Sequence, residues 1–120
     1  MEASLARNIL LVDASARSEG SVTRALSQDF VDILSSPDSQ IVTRDIGLNP
    51  VPILSEEWVG ANFTRDEDRT EAQRQVLELS DTLIAEIQAA DTLVLGVPVY
   101  NFGVPAAFKA WVDLIARARK

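Results

Sequence analysis

Two short stretches hold the side chains from which chemistry could be built. The first, Ser15-Ala16-Arg17-Ser18-Glu19-Gly20-Ser21-Val22-Thr23, offers hydroxyls at Ser15, Ser18, Ser21 and Thr23 just ahead of an expected helix. The first turn of a helix carries unpaired N–H groups and the positive end of the dipole, so hydroxyls placed there suit an anion such as a phosphate. A plainer reading has Ser21 doing no more than cap the helix. The second stretch, Pro98-Val99-Tyr100-Asn101-Phe102-Gly103, sets two aromatics and an amide side by side. A flat heteroaromatic ligand could lie against them; alternatively the rings only plug the end of a sheet.

What the chain lacks narrows the chemistry further. It has no cysteine and no histidine, which removes disulfides, thiolate and Ser-His-Asp nucleophiles, and thiolate or imidazole metal sites. Carboxylates, hydroxyls, arginines and backbone amides remain, so an enzyme of this composition would borrow its reactivity from a cofactor. No metal site is expected. The formal net charge of -7 repels phosphate backbones and anionic lipid, which argues against nucleic acid and membrane partners. The start Met1-Glu2-Ala3-Ser4-Leu5-Ala6 has no basic flank, and no run approaches a spanning helix, so a cytoplasmic location is expected.

Those two stretches must be positioned by regular elements, and the hydrophobic pattern supplies them. At 120 residues, with 47% hydrophobic and 24% charged residues, the chain has the size and composition of one soluble globular domain spanning 1–120. Asn8 to Asp13 is a continuous apolar run of strand length, as expected of a parallel strand covered on both faces. Beyond the hydroxyl stretch, Leu26, Phe30, Ile33 and Leu34 recur at helical spacing and predict the buried stripe of a helix ended by Ser35-Ser36-Pro37-Asp38. Gln40 to Asp45 reads as a second strand. Ile46 to Arg69 loses periodicity and reads as a long loop with at most a short helical turn, in which Trp58 and Phe63 either pin the loop to the core or mark a lid or contact surface.

Thr70-Glu71-Ala72-Gln73 fits a capping box and opens a long helix whose apolar stripe is expected at Val76, Leu79, Leu83, Ile84 and Ile87. Thr92 to Val97 is a second buried-strand run. Pro105 then sits where a helical turn would start, followed by the apolar face Phe108, Trp111, Val112 and Ile115. The order is βαβαβα, an α/β pattern with a parallel sheet. In such sheets ligands bind beyond the carboxyl ends of the strands, where both stretches fall. Within this architecture a dinucleotide fingerprint is not matched, since only Gly20 stands after the first strand. Nor does strand three end in a phosphoacceptor Asp as a receiver domain would require, and there is no Walker A loop.

The segments SARSEGSVTR (15–24), RDIGLNPVP (44–52), LSDTLIAEIQAAD (79–91) and VPVYNFGVPAAFKAWVD (97–113) resemble the FMN-dependent NADH-azoreductases, relatives of the quinone reductases. The similarity runs in order from Asn8 to Lys120. It implies a flavodoxin-like doubly wound sheet with the three strands in the order 2-1-3. It further implies FMN held at its phosphate and ribityl chain by Ser15, Ser21, Val22 and Thr23, and at its isoalloxazine by Val99, Tyr100, Asn101 and Phe102, largely through backbone groups. Family members are homodimers that take hydride from NADH and pass electrons by a ping-pong route to quinones or azo compounds. Their chains continue with two further strands, helices and a third flavin loop. The N-terminal portion alone would then leave strand three as an open edge, and a non-catalytic fragment or interaction module is the alternative reading.

Overall fold

The computed structural model describes residues 6–118. Three parallel strands, β1 (Asn8–Asp13), β2 (Gln40–Asp45) and β3 (Thr92–Gly96), form one sheet in the order β2-β1-β3. β1 pairs along its whole length with β2, from Asn8 opposite Gln40 to Asp13 opposite Asp45. On its other side it pairs with β3, from Ile9 opposite Thr92 to Asp13 opposite Gly96. All three carboxyl ends therefore lie at one rim. The central strand is buried on both faces from Ile9 to Asp13, as its unbroken apolar run requires.

Alternation along the strands divides the core in two. Ile9 and Leu11 point to one face, where they meet Val31 of α1 (Val22–Leu34) with Leu34 and Val94. Leu10 and Val12 point to the other and join Leu77 and Leu83 of α3 (Glu71–Ala89) and Trp111 and Leu114 of α4 (Ala106–Ile115). The capping box forms as read: the Gln73 amide donates to Thr70 Oγ1 at 3.2 Å and the Thr70 amide to Gln73 Oε1 at 2.9 Å.

Four expectations are corrected. The buried face of α1 is Ser27 and Val31, while Leu26, Phe30 and Ile33 are exposed. Periodicity found the helix but ranked the longer side chains as its inner face; the close approach of α1 to the sheet at Gly96 instead selects the small Ser27. In α3 the buried positions are Leu77, Ser80, Leu83 and Ile84, with Leu79 and Ile87 packed beside them and Val76 exposed. Ser80 is tolerated inside because its hydroxyl donates to the Leu114 carbonyl and accepts from Arg117.

The stretch 46–69 is not one long loop: it holds the helix α2 (Glu56–Phe63) and a 3-10 turn at Asp66–Asp68. Ser55 caps α2 by accepting from the Trp58 amide, and Glu56 and Glu57 sit favourably in its first turn. Trp58 is buried as expected, but Phe63 is exposed. Finally, β3 is not covered throughout. Leu93 and Leu95 are exposed because β3 is a sheet edge, as the resemblance implied for a three-stranded sheet. The slab is thin, 52 × 38 × 19 Å, with a radius of gyration of 16.4 Å. A compact domain of this length would measure about 14 Å.

Candidate functional site

The rim at the carboxyl ends of the strands is built by three turns. After β1, the backbone at Asp13 continues the sheet for one residue, Ala14 N–H donating to the Gly96 carbonyl at 2.9 Å. Ser15 is buried, and its hydroxyl accepts from the Arg17 amide at 3.2 Å and from the Ser21 hydroxyl at 2.9 Å. Ser21 in turn caps α1, accepting from the Arg24 amide at 3.2 Å. The capping role weighed against anion binding is therefore real, yet it leaves the amides of Val22 and Thr23 without an intrahelical acceptor. Val22 itself is exposed, Thr23 half-buried, and Ser18 exposed.

After β2, the chain turns back against the first loop. Ile46 and Gly47 amides both donate to the Asp13 carbonyl, at 2.9 and 3.0 Å. A Cβ on Gly47 would stand 1.9 Å from the Ser15 carbonyl oxygen, so only glycine permits this approach. A Cβ on Gly96 would stand 2.3 Å from Ser27 Oγ and 2.6 Å from Asp13 Oδ1, which fixes α1 close over β3 in the same way.

After β3 comes the aromatic turn. Tyr100 and Gly103 exchange backbone hydrogen bonds of 2.9 and 3.0 Å around Asn101 and Phe102. Both central residues have left-handed φ, 49° at Asn101 and 66° at Phe102. This is the dihedral signature of a tight turn that ordinarily takes Asn-Gly, so Phe102 occupies a place suited to glycine at a cost of about 1–2 kcal/mol. Its ring is fully exposed, and Val99 and Asn101 are exposed beside it. The ring therefore does not plug the sheet end. Tyr100 is half-buried, and its hydroxyl accepts from the Ala16 amide at 3.2 Å and is also bonded to Ser15. Those two bonds, the Ala16 amide first, lower the phenol's pKa from its usual value.

Thus the eight residues picked out in the sequence lie on two turns of one rim, and Tyr100 joins them. Four further residues were missed. Arg24, Asp13 and Asp45 form an ion-paired group beneath the first loop: Arg24 Nη1 lies 2.8 Å from Asp45 Oδ2 and 3.6 Å from Asp13 Oδ2. Burial raises the pKa of Asp13, against the opposing pull of Arg24, while the Arg24 fork lowers that of Asp45. Asp13 Oδ1 is buried without a partner. The fourth, Gly47, carries no local mark, because its role depends on a neighbour 32 positions away in sequence, Ser15.

A groove of about 480 Å³ lies at the opposite, amino ends of the strands, against α3. Its charged lining residue, Glu86, is bound by both ends of the Arg44 fork, at 3.1 and 2.5 Å. It brings no free charge to a ligand and stands apart from the rim. Among the described residues no group of three or more potential ligands converges to hold a metal ion, and no helix is long and apolar enough to cross a membrane.

A doubly wound parallel sheet with a helix amino terminus and a turn converging at its carboxyl rim defines the open α/β class whose ligands bind beyond the carboxyl ends of the strands. Residues 7–120 match the family of the flavodoxin-like fold, and the chain belongs to that family. It is 57% identical over 111 residues to an FMN-dependent NADH:quinone oxidoreductase 1 of Jannaschia sp. (strain CCS1), covering 92% of this chain and 56% of that one. It is 50% identical over 113 residues to the protein of the same name from Hahella chejuensis (strain KCTC 2396), covering 92% and 55%. The chain thus spans little more than half the length of these curated relatives. Among solved structures, an azoreductase from Bacillus anthracis str. Sterne superimposes with a TM-score of 0.81 at 24% identity, over 95% of this chain and 57% of that one. This likeness establishes the shared fold.

Proposed function

We propose that this chain forms the flavin-binding portion of an FMN-dependent NADH:quinone oxidoreductase that also accepts azo compounds. The observation that carries the reading is the Tyr100 hydroxyl bound to the Ser15 loop, which brings a hydroxyl-and-amide cradle and a strained aromatic turn to one rim. The relatives named for FMN and NADH share this stretch at 50–57% identity. A further structural neighbour, an FMN-dependent NADH-azoreductase from Bacillus anthracis str. Ames Ancestor, was crystallised in complex with FMN.

The cradle fits a phosphate. Two amides at the start of α1 lack intrahelical acceptors, and the carboxylates nearby are turned toward Arg24. Ser15 and Ser21 with the Val22 and Thr23 amides would hold the phosphate and ribityl chain; Val99, Tyr100, Asn101 and Phe102 would edge the isoalloxazine. When bound, FMN would supply the two-electron redox chemistry that links NADH to the acceptor in alternate half-reactions. The chain's own part is binding, orientation and exclusion of water, and no side-chain acid or base is assigned. The exposed apolar stripe Val22, Leu26, Phe30 and Ile33 on α1 is consistent with a homodimer, and the net charge of -7 with a cytoplasmic protein binding neither nucleic acid nor membrane.

Titration of the purified chain with FMN, followed by flavin fluorescence and then by NADH:quinone turnover, tests the proposal. Saturable binding at one site per chain is expected, and a chain that leaves FMN fluorescence unchanged would refute it. The open edge of β3, with Leu93 and Leu95 exposed, favours a second reading in which this portion binds flavin or a partner but does not turn over. Binding without NADH oxidation would select it.

A further inference from the structure

One cation beside the candidate phosphate loop is held from beneath by the loop's own carbonyls. Arg24 is the third residue of α1, and its side chain folds back beneath the loop with only 17% of its surface exposed. Nε donates to the Arg17 carbonyl at 2.7 Å and Nη2 to the Ser15 carbonyl at 2.7 Å. The fork donates to both oxygens of Asp45 at the end of β2, Nη1 to Oδ2 at 2.8 Å and Nη2 to Oδ1 at 3.0 Å. Asp45 is itself fixed by the Leu48 amide at 3.0 Å. One guanidinium therefore ties both shoulders of the first loop to the neighbouring strand, an arrangement a lysine ammonium cannot reproduce.

Peptide planarity gives this clamp a consequence on the far side of the loop. There are no cis bonds among the described residues, and in a trans peptide the C=O and the following N–H point in opposite directions. Drawing the Ser15 carbonyl down to Arg24 turns the Ala16 N–H up, and that N–H is the one that meets the Tyr100 hydroxyl at 3.2 Å. Drawing the Arg17 carbonyl down turns the Ser18 N–H toward the same open side. We infer that Arg24 is a positioning residue: it orients the Ala16 peptide so that its N–H holds the Tyr100 hydroxyl and the Ser18 peptide so that its N–H faces the side where a phosphate would lie, and it thereby sets selectivity for phosphorylated over unphosphorylated flavin without touching either. This rests on the flavin-binding reading above.

The test compares wild type with Arg24→Lys, Arg24→Ala and Asp45→Asn, titrating each with FMN and with riboflavin, which lacks the phosphate. Loss of charged hydrogen bonds that orient the loop is expected to weaken FMN binding about tenfold or more in each variant. Riboflavin binding should weaken distinctly less, by no more than about threefold, because it depends on the clamp only through the Ala16–Tyr100 bond. General loosening of the fold would weaken both flavins alike, and that outcome would overturn the inference. Hydrogen exchange on the unliganded proteins provides a separate arm: the Ala16 amide should exchange at least about tenfold faster in Arg24→Ala while the β1 amides keep their protection. If wild type binds neither flavin, the proposed function falls and the inference with it. If wild type binds FMN but Ala16 exchange is unchanged in Arg24→Ala, only the positioning role is overturned.

Discussion

Replacing Gly47 by alanine adds one methyl group at the point where the β2 turn touches the first loop, and its cost can be worked from the geometry. The new Cβ would lie 1.9 Å from the Ser15 carbonyl oxygen and 2.5 Å from its carbon, both backbone atoms. Contacts below 3.0 Å are essentially unknown for Cβ, so the carbonyl must retreat by about 1.1 Å. That oxygen accepts from Arg24 Nη2 at 2.7 Å, and the displacement breaks or bends this bond. Overpacking of this kind costs about 1–3 kcal/mol, and a weakened hydrogen bond to a charged group adds about 1 kcal/mol.

A total near 3 kcal/mol lowers the thermal midpoint of a domain this size by roughly 10–15 °C. Gly60 is the matched control: it lies inside α2, and a Cβ added there would meet nothing within 4 Å. Gly60→Ala should raise stability by about 0.5–1 kcal/mol through helix propensity alone. Urea and thermal unfolding of both variants, with FMN titration, make the comparison. A Gly47→Ala protein as stable as wild type, or one that keeps full FMN affinity, would refute the close-approach argument.

Two other outcomes follow from the rim. Phe102→Gly and Phe102→Ala remove the same exposed ring, but only glycine relieves the positive φ; Phe102→Gly should be the more stable by about 0.5–1 kcal/mol in urea unfolding, and equal stability would show that the turn is unstrained. Both should weaken FMN binding if the ring edges the flavin. The carboxylates of Asp13 and Asp45 pull stability in opposite directions with pH. Asp45 is held below the ordinary carboxylate value of 3.8, foremost by the Arg24 fork, so its contribution is complete above pH 3.8 and lost as pH falls through its folded value. Asp13 is raised above 3.8 by burial, so its contribution is complete below pH 3.8 and lost as pH rises through its folded value. Unfolding midpoints measured against pH should therefore flatten on the acid side in Asp45→Asn and above pH 3.8 in Asp13→Asn; unaltered profiles would contradict both assignments.

Much of this molecule was legible in one dimension because the governing interactions are local. The apolar run Asn8–Asp13 could only be a strand covered on both faces, and the Thr70–Gln73 box needs four residues and no tertiary partner. The two turns that meet at the rim were likewise legible, since a parallel sheet sends successive carboxyl ends to the same side. Local signals for α2 were present too, in Ser55 with Glu56 and Glu57, but the prolines and the missing apolar period concealed them.

Tertiary structure decided what depends on who stands next to whom. Amphipathic periodicity could not say that α1 turns the small Ser27 and Val31 inward and leaves Leu26, Phe30 and Ile33 outside, because that choice is made by the close packing of α1 over Gly96. No local pattern marks Gly47 as the contact for Ser15, or Arg24 as the tie between the first loop and Asp45. Those residues are far apart along the chain, and their energies arise from distances that exist only once three strands have closed into a sheet.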